Sequence, residues 1–199
     1  MGYNKTLVVN LLAGPGTGKS TMAAGIFAKL KWQGVDCEIV PEFAKELVWD
    51  NSPSVMNDQI YIFGEQYHRI FRLLNKVEVI IVDSPLLLTP IYDKQKRNSL
   101  CRLVLDEHWK MWTYNVLLNR TKPFVQNGRL HGEEVAHTID HDIRDFLDEN
   151  RIEYVSIVAS PDGEMYMVDK IVQLLKVDAE IEAKTLSDIF DKFCNERKK

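Results

Sequence analysis

Ala13-Gly14-Pro15-Gly16-Thr17-Gly18-Lys19-Ser20 follows directly on the apolar run Leu7-Val8-Val9-Asn10-Leu11-Leu12 and leads straight into a helical pattern. A strand, a glycine-rich turn and a helix start, in that order, make a phosphate-binding loop. Gly14, Gly16 and Gly18 let the backbone curl so that consecutive N–H groups face an anion, and the positive end of the following helix adds to that field. Lys19 supplies a mobile cation for β- and γ-phosphates, and the Ser20 hydroxyl is placed to ligate Mg²⁺. The set expected to hold a nucleoside triphosphate is therefore Ala13, Gly14, Pro15, Gly16, Thr17, Gly18, Lys19, Ser20 and Thr21. One departure stands in it: the usual first glycine is Ala13, the smallest change available.

The bulk properties set broad limits. The chain has 199 residues, enough for one domain with a substantial core, and 45% hydrophobic with 27% charged residues is ordinary for a soluble globular protein. No apolar run approaches the ~20 residues that span a bilayer, and the N-terminus shows no signal-peptide apolar region. A myristoylation pattern at Gly2 fits only formally, because the first strand is expected to begin at about residue 6. Cys37, Cys101 and Cys194 are scattered, which suits a reducing compartment and a cytoplasmic location rather than a disulfide or zinc framework. A net charge of −4 argues against a protein built mainly to coat nucleic acid, while leaving room for a local basic groove.

Strand-like runs alternate with helical patterns along the chain. Strands are expected at 6–13, 36–41, 77–82, 114–118 and 154–159. Helices are expected at 19–32, from about 57 to 75, and at 98–111, 133–150 and about 164–175, with a separate amphipathic helix over about 184–199. Such alternation predicts an α/β fold: a parallel sheet of about five strands, helices on both faces, and ligands at the carboxyl ends of the strands.

The remaining candidate residues fall at those ends. Val79-Ile80-Ile81-Val82 runs into Asp83, an acid expected beside the phosphate loop and able to hold Mg²⁺ directly or through water. Position 84 is serine, where ATP-hydrolysing machines commonly carry a glutamate that activates water. Asn75-Lys76-Val77-Glu78 is misplaced and ends in the wrong acid for guanine recognition. Glu42 closes the second strand, where a carboxylate can orient an attacking hydroxyl or accept its proton; an acid favoured by a helix dipole is the competing explanation. Gln66 and Arg69 share a helix face and suit a planar, charged clamp on a substrate, whereas the aromatic residues around them repeat at core spacing. Arg120 and Arg129 bracket a basic, turn-rich stretch over about 120–133 that reads as a lid, and both are candidates to neutralise charge on a transferring phosphoryl group. Ala159–Gly163 is expected as a loop against a nucleotide base. His137 and His141 lie one turn apart without a third metal ligand, and Lys94, Lys96, Arg97 and Lys122 are candidates for a groove that meets phosphates.

Together the A-G-P-G-T-G-K-S loop, P-E-F-A-K-E-L, D-Q-I-Y-I-F-G-E-Q-Y-H-R, V-I-I-V-D-S-P-L and N-G-R-L-H-G-E-E-V-A-x-x-I-D resemble small P-loop kinases over about residues 6–160. That group includes thymidylate kinase and the nicotinamide riboside kinase domain. More narrowly, the motifs resemble bacteriophage kinases related to thymidylate kinase, some of which phosphorylate 5-hydroxymethyluracil within DNA. The resemblance implies ATP on Gly14 to Ser20, Mg²⁺ on Ser20 and Asp83, lid arginines at Arg120 and Arg129, and transfer to a hydroxyl of a nucleotide-type acceptor, with modified DNA as the sharpest case. The Asp-Arg pair usual in thymidylate kinases is absent, since Ser84-Pro85 follows Asp83. A kinase of a free deoxynucleoside monophosphate or nucleoside is the first alternative, and a non-catalytic ATP-binding switch module the second.

Overall fold

The computed structural model describes residues 5–50, 54–120 and 133–196. Its centre is β1 (Leu7–Leu12), a strand buried along its whole length. Alternation sends Leu7, Val9 and Leu11 to one face of the sheet and Val8 and Leu12 to the other. The first set packs on Met22, Ile26 and Leu30 of α1 (Lys19–Trp32) and on Met167, Val168 and Ile171 of α7 (Pro161–Glu196). The second set meets Phe63 and Ile70 of α3 (Gln59–Phe71), Leu100 and Val104 of α5 (Asn98–His108), and Ile139, Ile143 and Leu147 of α6 (Glu133–Glu149). Two cores on one strand explain why the segment reads as a continuous apolar run.

β2 (Cys37–Val40), β3 (Val79–Val82), β4 (Trp112–Asn119) and β5 (Val155–Val158) complete a five-stranded sheet in the order β2-β3-β1-β4-β5. Every pairing is parallel. The expected α/β architecture is therefore the observed one. Because β1 lies inside the sheet and its flanking strands belong to opposite halves of the chain, a crevice opens beyond its carboxyl end. Register aligns Val40 and Val82, the last residues of β2 and β3, with Asn10, and β1 runs two residues further before the loop begins. The Asp83 N–H then bonds the Val40 carbonyl at 3.0 Å, tying two of those ends together.

Some sequence expectations need correction. The separate tail helix is the continuation of α7, which runs unbroken from Pro161 to Glu196 because no glycine or proline follows Gly163 to stop it. The expected loop Ala159–Gly163 is shorter, since Pro161 already starts α7 and the Ser160 hydroxyl accepts from the Gly163 N–H at 3.1 Å. The helix at 98 ends at His108 rather than Met111. The helix expected after Glu42 is α2 (Phe43–Trp49), and three short elements are additional: α4 (Thr89–Tyr92) and 3₁₀ turns at Val55–Asn57 and Leu86–Leu88. No helix among the described residues is long and apolar enough to cross a membrane.

Candidate functional site

The phosphate loop leaves β1 at Ala13 and enters α1 at Lys19. Gly16 (φ 81°) and Gly18 (φ 107°) sit in the left-handed region, which a side chain would strain. Gly14 is glycine for a different reason. A Cβ there would lie 2.7 Å from the Ala136 carbonyl oxygen and 2.7 Å from Asp140 Oδ1, so only glycine lets α6 approach. Ala13 is fully buried and outside the positive-φ positions, which is why alanine is accommodated there. Gly18 gives α1 no side-chain cap, so the first N–H groups of that helix stay available to an anion. Lys19 folds back to donate to the carbonyls of Ala13 (2.8 Å) and Gly14 (3.2 Å), and the Thr17 hydroxyl donates to the Gly14 carbonyl at 3.1 Å.

Asp83 is 4% exposed at the end of β3. The Ser20 hydroxyl donates to its Oδ2 at 2.6 Å, while Oδ1 is buried without a hydrogen-bond partner. A buried carboxylate oxygen left unpaired costs free energy unless something positive meets it. Oxygen donors from Ser20 and Asp83 at the mouth of a phosphate loop suit a hard divalent cation such as Mg²⁺, so the residues fit that ion. Among the described residues there is no group of three or more His, Cys, Asp or Glu that could hold a metal ion.

Glu42 caps α2 from the end of β2. It lines the same cavity and is partly exposed, with no side-chain bond to the helix it precedes. Burial pushes its pKa above the usual carboxylate range, with Asp83 adding to the rise and Lys19 and Lys45 opposing it. Gln66, 4% exposed, brackets this residue: its Oε1 accepts from the Phe43 N–H at 3.1 Å and its Nε2 donates to the Pro41 carbonyl at 3.3 Å. The cavity, about 600 Å³, runs from Gly16, Gly18, Lys19, Ser20 and Thr21 past Glu42 to a wall of Val48, Met56, Ile62, Leu88 and Tyr92. Lys45 and Lys94 also line it, and Lys94 donates to Asn57 at 3.0 Å.

Arg120, just past β4, points back at the loop. Its Nη2 and Nε reach Asp140 Oδ2 at 2.9 and 3.3 Å, and its Nη1 donates to the Pro15 carbonyl at 3.0 Å. Asp140 Oδ1 accepts from the Gly14 N–H at 2.6 Å.

A family model described as an AAA domain matches residues 8–164, from β1 through the start of α7. The chain belongs to that family. Among solved structures, the chain is similar to deoxyadenosine kinase from M. mycoides with the products dCMP and a flexible dCDP bound (18% identity, 85% of this chain and 99% of that one, TM-score 0.50). The same kinase with bound dCTP aligns at 19% identity over 86% of this chain and 99% of that one, TM-score 0.47. An APS kinase from Mycobacterium tuberculosis aligns at 18% identity over 74% and 99%, TM-score 0.38. At such identity the first likeness speaks for a shared fold, the P-loop α/β fold kinases use. No curated protein matches the sequence.

The AAA domain thus gathers the loop, Ser20, Asp83, Glu42 and Gln66 about one cavity. Arg69 is not brought there. It forms a two-pronged pair with Glu46 (2.7 and 2.8 Å), lies 4.8 Å over the Phe43 ring, and lines a separate hollow beside β2 with His68 and Arg72. In the basic segment Lys94 reaches the cavity, whereas Arg97 is held by Asp93, whose pKa is drawn down to about 2 by that guanidinium. Arg129 and Lys122 lie outside the described residues. Sequence reasoning gave no individual role to Asp140, Thr89 or Tyr92. Asp140 is one of several acids on α6 and nothing local distinguishes it. Tyr92 and Thr89 sit on a four-residue helix too short to show a period.

Proposed function

We propose that this chain is an ATP-dependent kinase that transfers a γ-phosphoryl group to a hydroxyl of a nucleotide-type acceptor. The observation that carries the reading is the continuity of one cavity from the phosphate loop and Ser20, whose hydroxyl meets Asp83, past Glu42 to an apolar wall. A hydrolase needs only water as acceptor, whereas this cavity continues from the phosphate loop to an apolar wall that suits a second ligand. The deoxyadenosine kinase likeness supports the fold on which such chemistry runs.

In this reading the amides of Gly16 to Ser20 and the Lys19 ammonium hold the β- and γ-phosphates. Glu42 orients the acceptor hydroxyl and takes its proton as the new O–P bond forms and the bond to the β-phosphate oxygen breaks, releasing ADP. A raised pKa brings that carboxylate nearer the basicity the step needs. Arg120 and Arg129 supply positive charge near the phosphoryl group. Mg²⁺, held by Ser20 and Asp83, supplies neutralisation of phosphate charge when bound. The apolar wall receives a base or sugar, with Lys45 and Lys94 meeting phosphate beyond it. The specific acceptor we favour is 5-hydroxymethyluracil in DNA, reached as a splayed nucleotide.

The test is transfer from γ-labelled ATP to thymidylate, nicotinamide riboside, ordinary DNA and DNA containing 5-hydroxymethyluracil. Label on the modified DNA alone supports the full reading. Label on a free small molecule keeps the kinase and removes DNA as acceptor. ATP binding with no transfer to any acceptor overturns the proposal in favour of a switch module.

A further inference from the structure

Gly14 and Pro15 bring no side-chain chemistry to the loop, yet both are gripped by side chains from the far half of the chain. The Gly14 N–H donates to Asp140 Oδ1, Asp140 Oδ2 pairs with Arg120, and Arg120 donates to the Pro15 carbonyl, which closes a ring. We infer that Asp140 and Arg120 are positioning residues for the nucleotide: their ion pair holds the Gly14–Pro15 corner so that the anion-facing amides begin at Gly16. The inference rests on the reading of this loop as a nucleoside phosphate site.

Three features support it. Both contacts to the loop join a charged side chain to a backbone group, the stronger class of hydrogen bond. The ring also decides which amides can meet phosphate, because the Gly14 N–H is already committed to Asp140 and proline has none. The third feature concerns what happens when a nucleotide arrives. The Gly14 carbonyl is held by Lys19 and Thr17. Phosphates would draw the Lys19 ammonium off that carbonyl, leaving the Thr17 hydroxyl on Gly14 and the Asp140–Arg120 pair as the grip on the corner. Arg120 uses three of its five N–H donors in the ring, which leaves two for a phosphate. The missing Cβ of Gly14 is what lets Asp140 come this close.

The experiment is a fluorescence titration of N-methylanthraniloyl ADP and AMP into the full chain, with no acceptor and no turnover. AMP lacks the β-phosphate that the loop amides grasp, so the ADP-to-AMP affinity ratio reports on the loop itself. Asp140→Ala is expected to weaken ADP at least about tenfold and AMP less than about twofold. Asp140→Asn, which keeps an oxygen for Gly14 and loses the ion pair, should fall between. A purely structural pair would lower the melting temperature and leave the ratio unchanged, and that result overturns the inference. Should Asp140→Ala fail to fold, the near-isosteric Asp140→Asn decides by the same ratio. A wild-type chain without preference for ADP overturns the phosphate-loop reading and the brace with it; a wild-type preference that persists in both variants overturns the brace alone.

Discussion

Replacing Gln66 with leucine separates holding Glu42 in place from touching the substrate. The change keeps side-chain bulk and removes two hydrogen bonds to the backbone on either side of Glu42. Phe43 is the first residue of α2, so its N–H has no partner within the helix, and Glu42 provides no side-chain cap. Leucine therefore leaves a buried donor unpaired, at a cost of about 1–3 kcal/mol. The Pro41 carbonyl belongs to an exposed residue and can turn to water, so it adds little. For a chain of this length that cost lowers the melting temperature by about 3–10 °C. Glu42 then loses the support that aims it, and kcat should fall on the order of 10- to 100-fold while nucleotide affinity holds, since the phosphate loop is untouched. Gln66→Glu, which restores the acceptor for Phe43 but cannot donate to Pro41 when ionised, should recover part of both losses. Thermal melts and steady-state kinetics on the preferred acceptor read the outcome. An unchanged kcat in a destabilised variant would refute the aiming role and leave Gln66 as a helix cap. A rise confined to the acceptor's KM would assign Gln66 to substrate contact instead.

Three further outcomes follow from the buried titratable groups. Glu42 has a folded-state pKa above its ordinary value, so the stability it contributes is present below the usual glutamate range and lost as pH rises through the folded pKa. Glu42→Gln should therefore melt higher than wild type at pH 8, with the gap closing below about pH 4, while transfer activity collapses. Asp83→Asn keeps an oxygen for the Ser20 hydroxyl but removes the charge that suits Mg²⁺; it should melt no lower than wild type and lose the Mg²⁺-dependent gain in nucleotide affinity, measured with and without chelator. His108 is 3% exposed with its Nε2 unpartnered, and burial lowers its pKa from 6.5 to about 4. As pH falls between those values the unfolded chain takes up a proton that the folded chain refuses, which removes on the order of 3 kcal/mol of stability. His108→Leu should flatten that acid slope in denaturation curves at pH 4.5 and 7.

On the proposed reading, the nucleotide half of this site is legible in sequence because the determinants of its loop and strand are local. A run buried on both faces, three glycines within five residues and an apolar strand ending in Asp83 lie within short windows of sequence. The acceptor half is not, because its determinants act across distance. Gln66 looked like a substrate clamp because an amide on a helix face carries no mark of a partner 23 positions upstream. Arg69 looked like a partner in that clamp because spacing puts it on the same face as Gln66, but only the fold shows α2 offering Glu46 to it. Gly14 read as one more turn glycine, whereas its reason is a helix more than a hundred residues downstream. α7 was divided because its polar stretch breaks the apolar pattern, although nothing in that stretch stops a helix.

The two halves are also held by different physics, and that difference fits their tasks. The phosphate loop hangs from β1 and α1, whose inward side chains lie in the larger core with almost no exposed area. Val48 brings α2 to one side of the apolar wall, and the Phe43 and Leu47 side chains of that helix pack with Ile62 in a small separate cluster. Beyond that cluster α2 is held by the Gln66 amide on its first turn and by Arg69, which pairs with Glu46 and lies over the Phe43 ring. A small apolar cluster supported by side-chain hydrogen bonds opens at lower cost than a sheet core. On the kinase reading proposed above, the rigid side would hold the invariant triphosphate, and the side around Glu42, whose local opening costs least, would admit and release the second molecule.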